Sequence, residues 1–262
     1  MFKLIDTHTH IVDDTYDVDR AEVIARAQAA GVYKIIGVTE SVADAVKLLK
    51  LADQHPEILP ALGLYPTILD HAQADLMEQL LRENAERLIG IGEVGLDYWK
   101  VKEEDDRKTQ REIFARFIDL AIELNLPLNI HSRSAGAPVI EMLDERRVML
   151  AQMHAFGGKA SSAKPAVELG YYFSVPASLV YSRQKQKLFR RLPLECLLLE
   201  TDSPVMPPVQ GERNEPANVI VALEELSALK ELPVETVHEA VIANSNRLYV
   251  QKLPSLCRME SI

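Results

Sequence analysis

The sequence predicts an α/β chain folded as a single (β/α)8 TIM barrel with an additional C-terminal helix, and three observations point there. Short apolar runs alternate with longer amphipathic stretches, eight times over, which is the pattern of parallel strands joined by crossover helices. The length, 262 residues, is close to the ~250 residues of one such barrel. Residues able to bind a cation stand at the end of one apolar run after another, and a barrel collects strand ends on one face. An open Rossmann-type sheet is the competing architecture, but no Gly-x-Gly-x-x-Gly follows the first apolar run.

In chain order, strands are expected at Lys3–His8, Lys34–Thr39, Ile58–Leu64, Leu88–Glu93, Pro127–His131, Val148–His154, Tyr171–Val175 and Cys196–Thr201. Between them, helical periodicity covers Ala21–Ala30, with Gly31 as a stop signal, then Ala43–Ala52, Asp75–Arg87, Arg111–Leu124, Pro138–Glu145, Ala163–Leu169 and Gln184–Leu192. A last pair, Asn218–Lys230 and Val234–Leu248, follows. No linker rich in Gly, Ser or Pro and no low-complexity segment interrupts the pattern, so residues 1–262 read as one domain.

Composition narrows the function classes. A hydrophobic content of 47% with 26% charged residues is ordinary for a globular chain and sufficient for a large core. The N-terminus turns acidic too early for a signal peptide, and no apolar run approaches the ~20 residues of a membrane span. A cytoplasmic protein without membrane contact is expected, with Cys196 and Cys257 as free thiols rather than a disulfide framework. The net charge of −10 argues against broad electrostatic capture of nucleic acid, so any phosphate must be held locally. Arg183, Lys185, Lys187, Arg190 and Arg191 supply positive charge, read as a solvated helix face.

The chemistry is carried by residues at strand ends. His8 and His10 share a strand face with Asp6, so two imidazoles and a supporting carboxylate converge. Alone, a His-x-His pair says little. Glu93 ends the fourth strand, His131 the fifth and His154 the sixth, and Asp202 follows the eighth, whereas His55, His71 and His238 fall in helices or loops and read as surface residues. Purely structural histidines and carboxylates have no reason to gather at one end of five strands.

Six ligands exceed what one tetrahedral ion takes, which points to two divalent ions bridged by a carboxylate. The allotment is His8, His10 and Asp202 on one ion, His131 and His154 on the other, and Glu93 across both. Such ions lower the proton affinity of bound water toward neutrality, and Asp202 is placed to take that proton and pass it to the leaving oxygen. Imidazole favours zinc, manganese, cobalt or iron, whereas magnesium prefers oxygen; zinc, manganese and magnesium all stay open.

The blocks Asp6-Thr-His8-Thr-His10, Gly92-Glu93-Val-Gly-Leu-Asp97, His131-Ser-Arg133, His154-Ala-Phe-Gly157 and Glu200-Thr-Asp202-Ser-Pro204 resemble the signatures of the TatD family of metal-dependent deoxyribonucleases, within the amidohydrolase-type barrels. Beyond them, His131–Gly136, Tyr171–Pro176, Gln184–Lys187 and Arg213–Pro216 are most similar to the third TatD-domain paralogue group of vertebrates. The resemblance implies a divalent-metal phosphodiesterase acting on DNA, working from the 3′ end or at damaged sites. It places the family's ligands on the same six residues, with Glu93 and Asp202 catalytic.

One position departs from the family. Where the family has Gly-x-His-Pro after strand three, this chain has Gly63-Leu-Tyr65-Pro66. The family's histidine there is near substrate rather than on the metals, so Tyr65 becomes a substrate-binding candidate, able to donate a hydrogen bond to a phosphate oxygen or simply to pack. Arg133 shares strand parity with His131 if the extended conformation continues, and can clamp phosphate; Arg213 is a weaker candidate of the same kind. Two rival readings stand beside the nuclease. One keeps the dinuclear site but acts on a small amide, lactone or phosphate ester, and the other is a non-catalytic scaffold. No protein partner is implied.

Overall fold

In the computed structural model, which describes residues 2–249, the expected barrel is present. Eight parallel strands hydrogen-bond in chain order: β1 Leu4–Thr9, β2 Val32–Val38, β3 Ile58–Leu62, β4 Gly90–Gly95, β5 Leu128–His131, β6 Ala151–Met153, β7 Tyr172–Pro176 and β8 Leu197–Glu200. The seam between β1 and β8 is closed by an isolated parallel bridge, Thr9 to Ser203. Asp202 N–H donates to His8 O (3.0 Å) and His10 N–H to Ser203 O (2.8 Å). The closing bonds therefore run through the candidate ligands themselves.

Helices α1 Arg20–Ala29, α2 Val42–Gln54, α3 His71–Asn84, α4 Glu104–Leu124, α5 Gly136–Glu145, α6 Ala160–Glu168, α7 Arg183–Arg191 and α8 Val219–Lys230 follow successive strands, and α9 Val234–Leu248 is the additional C-terminal helix. Their ends obey local chemistry. Gly31, just past α1, takes φ +93°, where a side chain would be strained. The Ser41 hydroxyl accepts from Asp44 N–H at the start of α2, and Asp70 accepts from Ala72 and Gln73 N–H at the start of α3.

Several boundaries differ from expectation: α3 spans His71–Asn84 rather than Asp75–Arg87, and α4 and β6 depart as well. α4 begins seven residues before Arg111, at Glu104, because its first turns are polar and show no apolar periodicity; Glu104, Asp105 and Asp106 complement the helix dipole there. β6 is only Ala151–Met153. Arg147 turns to φ +53° and Val148 N–H returns to Leu143 O (3.0 Å), so those residues finish α5 rather than start a strand.

The helical ring packs on the outer strand faces through fully buried side chains such as Phe114, Phe117, Phe173 and Phe189. Inside the barrel, Ile36, Val38, Leu59, Ala61, Ile89 and Leu198 form a separate apolar layer, into which Leu248 and Tyr249 insert from the end of α9. Above that plug the interior is polar, with Asn129, Gln152, Ser174 and Glu200 all buried. Cys196 is a free, buried thiol, while Cys257 lies outside the described residues. Among these residues no helix is long and apolar enough to cross a membrane.

Candidate metal centre

Because all eight strands run in parallel, the residues at their C-terminal ends converge. His8 Nε2 and His10 Nε2 lie 3.4 Å apart. Glu93 Oε2 is 3.9 Å from the first and 3.5 Å from the second, and Asp202 Oδ1 is 3.6 and 3.5 Å from the same two nitrogens. The other oxygen of Glu93, Oε1, is 2.6 Å from His131 Nδ1 and 2.9 Å from His154 Nε2. One carboxylate thus turns one oxygen to each of two imidazole pairs. His8, His154 and Asp202 also form a donor set, because the rings of His8 and His154 stack with centroids 3.8 Å apart.

The donors fit divalent cations. Glu93 Oε2 is buried and has no hydrogen-bond partner, an expense that a folded chain rarely carries unless the oxygen is meant for a ligand. Neighbouring groups leave the needed lone pairs free. His8 Nδ1–H donates to Asn129 Oδ1 at 2.8 Å, which directs the lone pair of Nε2 to the centre. His131 Nε2–H donates to Asp97 Oδ2 at 3.0 Å, leaving Nδ1.

Backbone proximity sets the carboxylate in place. A Cβ on Gly63 would fall 2.5 Å from Gly92 C and from Glu93 O, and one on Gly95 would fall 2.0 Å from His131 O. These glycines let β3, β4 and β5 approach closely beneath Glu93.

Charge follows from the same packing. Burial opposes ionisation of His10, but its hydrogen bond to Asp202 and the charges of Glu93 and Asp202 outweigh it and lift the imidazole to about 9. Burial, reinforced by the adjacent His154, pushes His8 down to about 3. Glu93 is held well below the usual carboxylate range: burial would raise it, but His154 and His131 prevail. In the metal-free protein His10 is therefore a cation paired with carboxylates. Its stabilising contribution is complete below pH ~6.5, the ordinary imidazole value, and is lost as pH rises through about 9. A metal needs the deprotonated ring, so the trend inverts on loading. We expect the denaturation midpoint of chelator-treated protein to fall between pH 6.5 and 9 and that of metal-loaded protein to hold or rise; parallel profiles would contradict this account.

The remaining candidates are placed as follows. Tyr65 lines the cavity, its ring edge-on to His131 with centroids 5.1 Å apart. Arg133 also lines it, but not through strand parity: the extended backbone stops at His131, Ser134 turns to φ +58°, and the guanidinium stacks 3.7 Å over the Trp99 ring. Arg213 is not brought to the cavity. Asp19 holds it from two sides (2.8 and 2.5 Å) and Thr15 O accepts a further bond.

Asp6 supports the backbone rather than an imidazole, accepting from Thr201 N–H (2.9 Å) and His8 N–H (3.3 Å), and burial raises it to about 8. Of the basic helix, Arg183, Lys187, Arg190 and Arg191 are exposed, but Lys185 turns inward, lines the cavity and donates to Ala155 O at 2.9 Å. Its ammonium is pushed down by burial, which the charges of Glu200 and Asp202 partly offset.

Five residues that support the site carry no assignment from the sequence: Asp97, Asn129, Lys185, Tyr249 and Glu200, whose Oε2 lies 3.6 Å from His154 Nδ1. Asn129 stands two residues before His131 in β5, and Glu200 two residues after the inward Leu198 in β8, so strand parity carries a signal for both. Tyr249 carried none. Its hydroxyl donates to Gln152 Oε1 (2.7 Å) and accepts from Asn129 Nδ2 (3.2 Å), the same Asn129 that orients His8. Tyr249→Phe leaves these groups short of a partner in a buried place and should cost about 1–3 kcal/mol, read as a lowered melting temperature; an unchanged midpoint would show the network to be idle.

Four imidazoles and two carboxylates at the C-terminal mouth of a parallel eight-stranded barrel define a barrel-type metal-dependent hydrolase. The profile of TatD-related DNases matches residues 5–250, and the chain belongs to that family. It is 36% identical over 261 residues to the human deoxyribonuclease TATDN3, covering 94% of each chain. It is 32% identical over 253 residues to the metal-dependent hydrolase YabD of Bacillus subtilis, covering 94% of this chain and 98% of the relative. The crystal structure of YjjV, a TatD homologue from Escherichia coli, superposes with a TM-score of 0.88 at 28% identity, covering 95% of this chain and 98% of that one.

Proposed function

We propose that the protein is a two-metal phosphodiesterase that shortens DNA from its 3′ end, acting in the cytosol. The observation that carries this reading is Glu93, whose Oε2 faces His8 and His10 while Oε1 faces His131 and His154. His8, His10 and Asp202 would hold one cation, His131 and His154 the other, with Glu93 between them. Cations bound there supply Lewis acidity toward a phosphoryl oxygen and make water a better nucleophile near neutral pH.

The chain's own groups supply the rest. Asp202 has a carboxylate oxygen facing both His8 and His10, where it can take a proton from the attacking water and return it to the leaving 3′-oxygen. Asn129 and Asp97 keep the two imidazoles in their working tautomers. The cavity is about 820 Å³ and is lined by Tyr65, Arg133 and Lys185. That volume accommodates a nucleotide-sized group, and these side chains can offer hydrogen bonds and positive charge to phosphate.

The test is cleavage of an end-labelled oligonucleotide with divalent ions, with and without chelator. Metal-dependent shortening from the 3′ end is expected. Few cations reach the phosphates, so log rate constant against log salt should fall with a slope of only about −1 to −3; no shortening with any divalent ion, or a slope typical of many phosphate contacts, would contradict the reading. A second reading keeps the centre but gives it a small amide, lactone or phosphate ester, and is favoured by Tyr65 standing where the resemblance expects histidine. Hydrolysis of such esters without oligonucleotide shortening would decide for it.

A further inference from the structure

The loop after β4 carries the chain's one tryptophan, Trp99, and leaves it 52% exposed. The indole adjoins the cavity through two residues that line it, its chain neighbour Lys100 and Arg133, whose guanidinium packs on its ring. The loop is tied to the metal centre by a single carboxylate. Asp97 Oδ1 accepts from Trp99 N–H (2.9 Å) and Lys100 N–H (2.7 Å), and its Oδ2 accepts from His131 Nε2 (3.0 Å). Tyr98 N–H donates to Arg133 O at 2.9 Å, clamping this loop to the one after β5.

The result is two cation–aromatic pairs side by side. The Arg133 guanidinium lies 3.7 Å over Trp99, and Lys100 Nζ lies 4.8 Å over Tyr65. Among the described residues Arg133 forms no ion pair with a carboxylate and Lys100 acts on Glu40 only at longer range, in a chain whose acidic residues outnumber basic ones 39 to 29. Cations set on aromatic faces beside a metal cavity, with no close carboxylate on Arg133, suit a ligand that is both flat and anionic.

We propose that Trp99 and Arg133 form a nucleobase-stacking subsite at the cavity mouth. A base packs on the half-exposed indole, and the guanidinium, held 3.7 Å over the same ring, turns its N–H groups to the adjoining phosphate. This rests on the DNA reading above and adds where the base goes. It also explains how an acidic protein binds a strand end with few charges: stacking is indifferent to salt and to base identity.

Because the indole is the only one, its fluorescence reports this place alone. Titrating metal-loaded protein with dAMP should quench the emission to saturation, whereas 2-deoxyribose 5-phosphate, which has the phosphate but no base, should leave it unchanged. Trp99→Leu should raise KM for a single-stranded oligonucleotide roughly tenfold or more with kcat within about twofold, and Trp99→Phe should recover most of the loss. Equal quenching by the two ligands overturns the proposal, as does an unchanged KM in a Leu variant whose circular dichroism matches the parent. Base-dependent quenching in a protein that cleaves no oligonucleotide would uphold the subsite and reject the nuclease reading; cleavage without base-dependent quenching would do the reverse.

Discussion

Asp202→Asn is expected to lower turnover by about 10²- to 10⁴-fold while fold and metal content stay close to those of the parent. The substitution is chosen for its backbone. Asp202 sits at φ +56°, a left-handed conformation that Asn shares with Asp and that Ala resists, so an Ala variant would mix chemistry with strain. The amide keeps the shape and can still present an oxygen toward His8 and His10, and the Asp202 N–H bond to His8 O (3.0 Å) is unaffected by the side chain. What it cannot do is take up a proton and release it. Initial rates at saturating metal, with elemental analysis of the same preparation, separate the two roles. A near-parental rate would remove Asp202 from proton transfer and leave it only a place beside the metal.

Why the mouth of the barrel was legible in the sequence, and its supports less so, has a physical reason. Alternation in a strand reports which face a side chain takes, and a parallel barrel turns that into convergence. His8, Glu93, His131 and His154 could therefore be gathered from their positions at run ends. The same parity, applied upstream of His131 and along β8 from the inward Leu198, points to Asn129 and Glu200.

Loops have no such period. Strand parity sets Arg133 beside His131 only if the strand continues; the chain instead turns at Ser134 with φ +58°, and the guanidinium meets Trp99. The charge of Arg213 is plain in the sequence, but its partner Asp19, far off along the chain, is not. Lys185 looked like its exposed neighbours, because a single inward residue on a polar helix leaves no periodic trace. Tyr249 plugs the barrel floor through a contact that no local pattern encodes.

Glu93→Ala should separate the two halves of the centre. Removing the shared carboxylate leaves His8, His10 and Asp202 as a three-donor set, whereas His131 and His154 are left as two imidazoles with no oxygen between them. Three donors satisfy a catalytic zinc-type ion and two do not. The expected result is therefore unequal: the ion beside His131 and His154 is lost, the ion beside Asp202 remains with affinity lowered about 10- to 100-fold or more, and elemental analysis falls from two ions per chain toward one. In the metal-free form the variant also deprives His131 and His154 of the charge that Glu93 supplies, so the chelated variant should be less stable than the chelated parent, while the step lost on chelation shrinks because fewer and weaker ions are removed. Glu93→Gln keeps the shape and one oxygen, and should fall between. Were the Ala variant to retain two ions, each imidazole pair would have to complete its site without Glu93, and the division of donors argued from its two oxygens would be wrong.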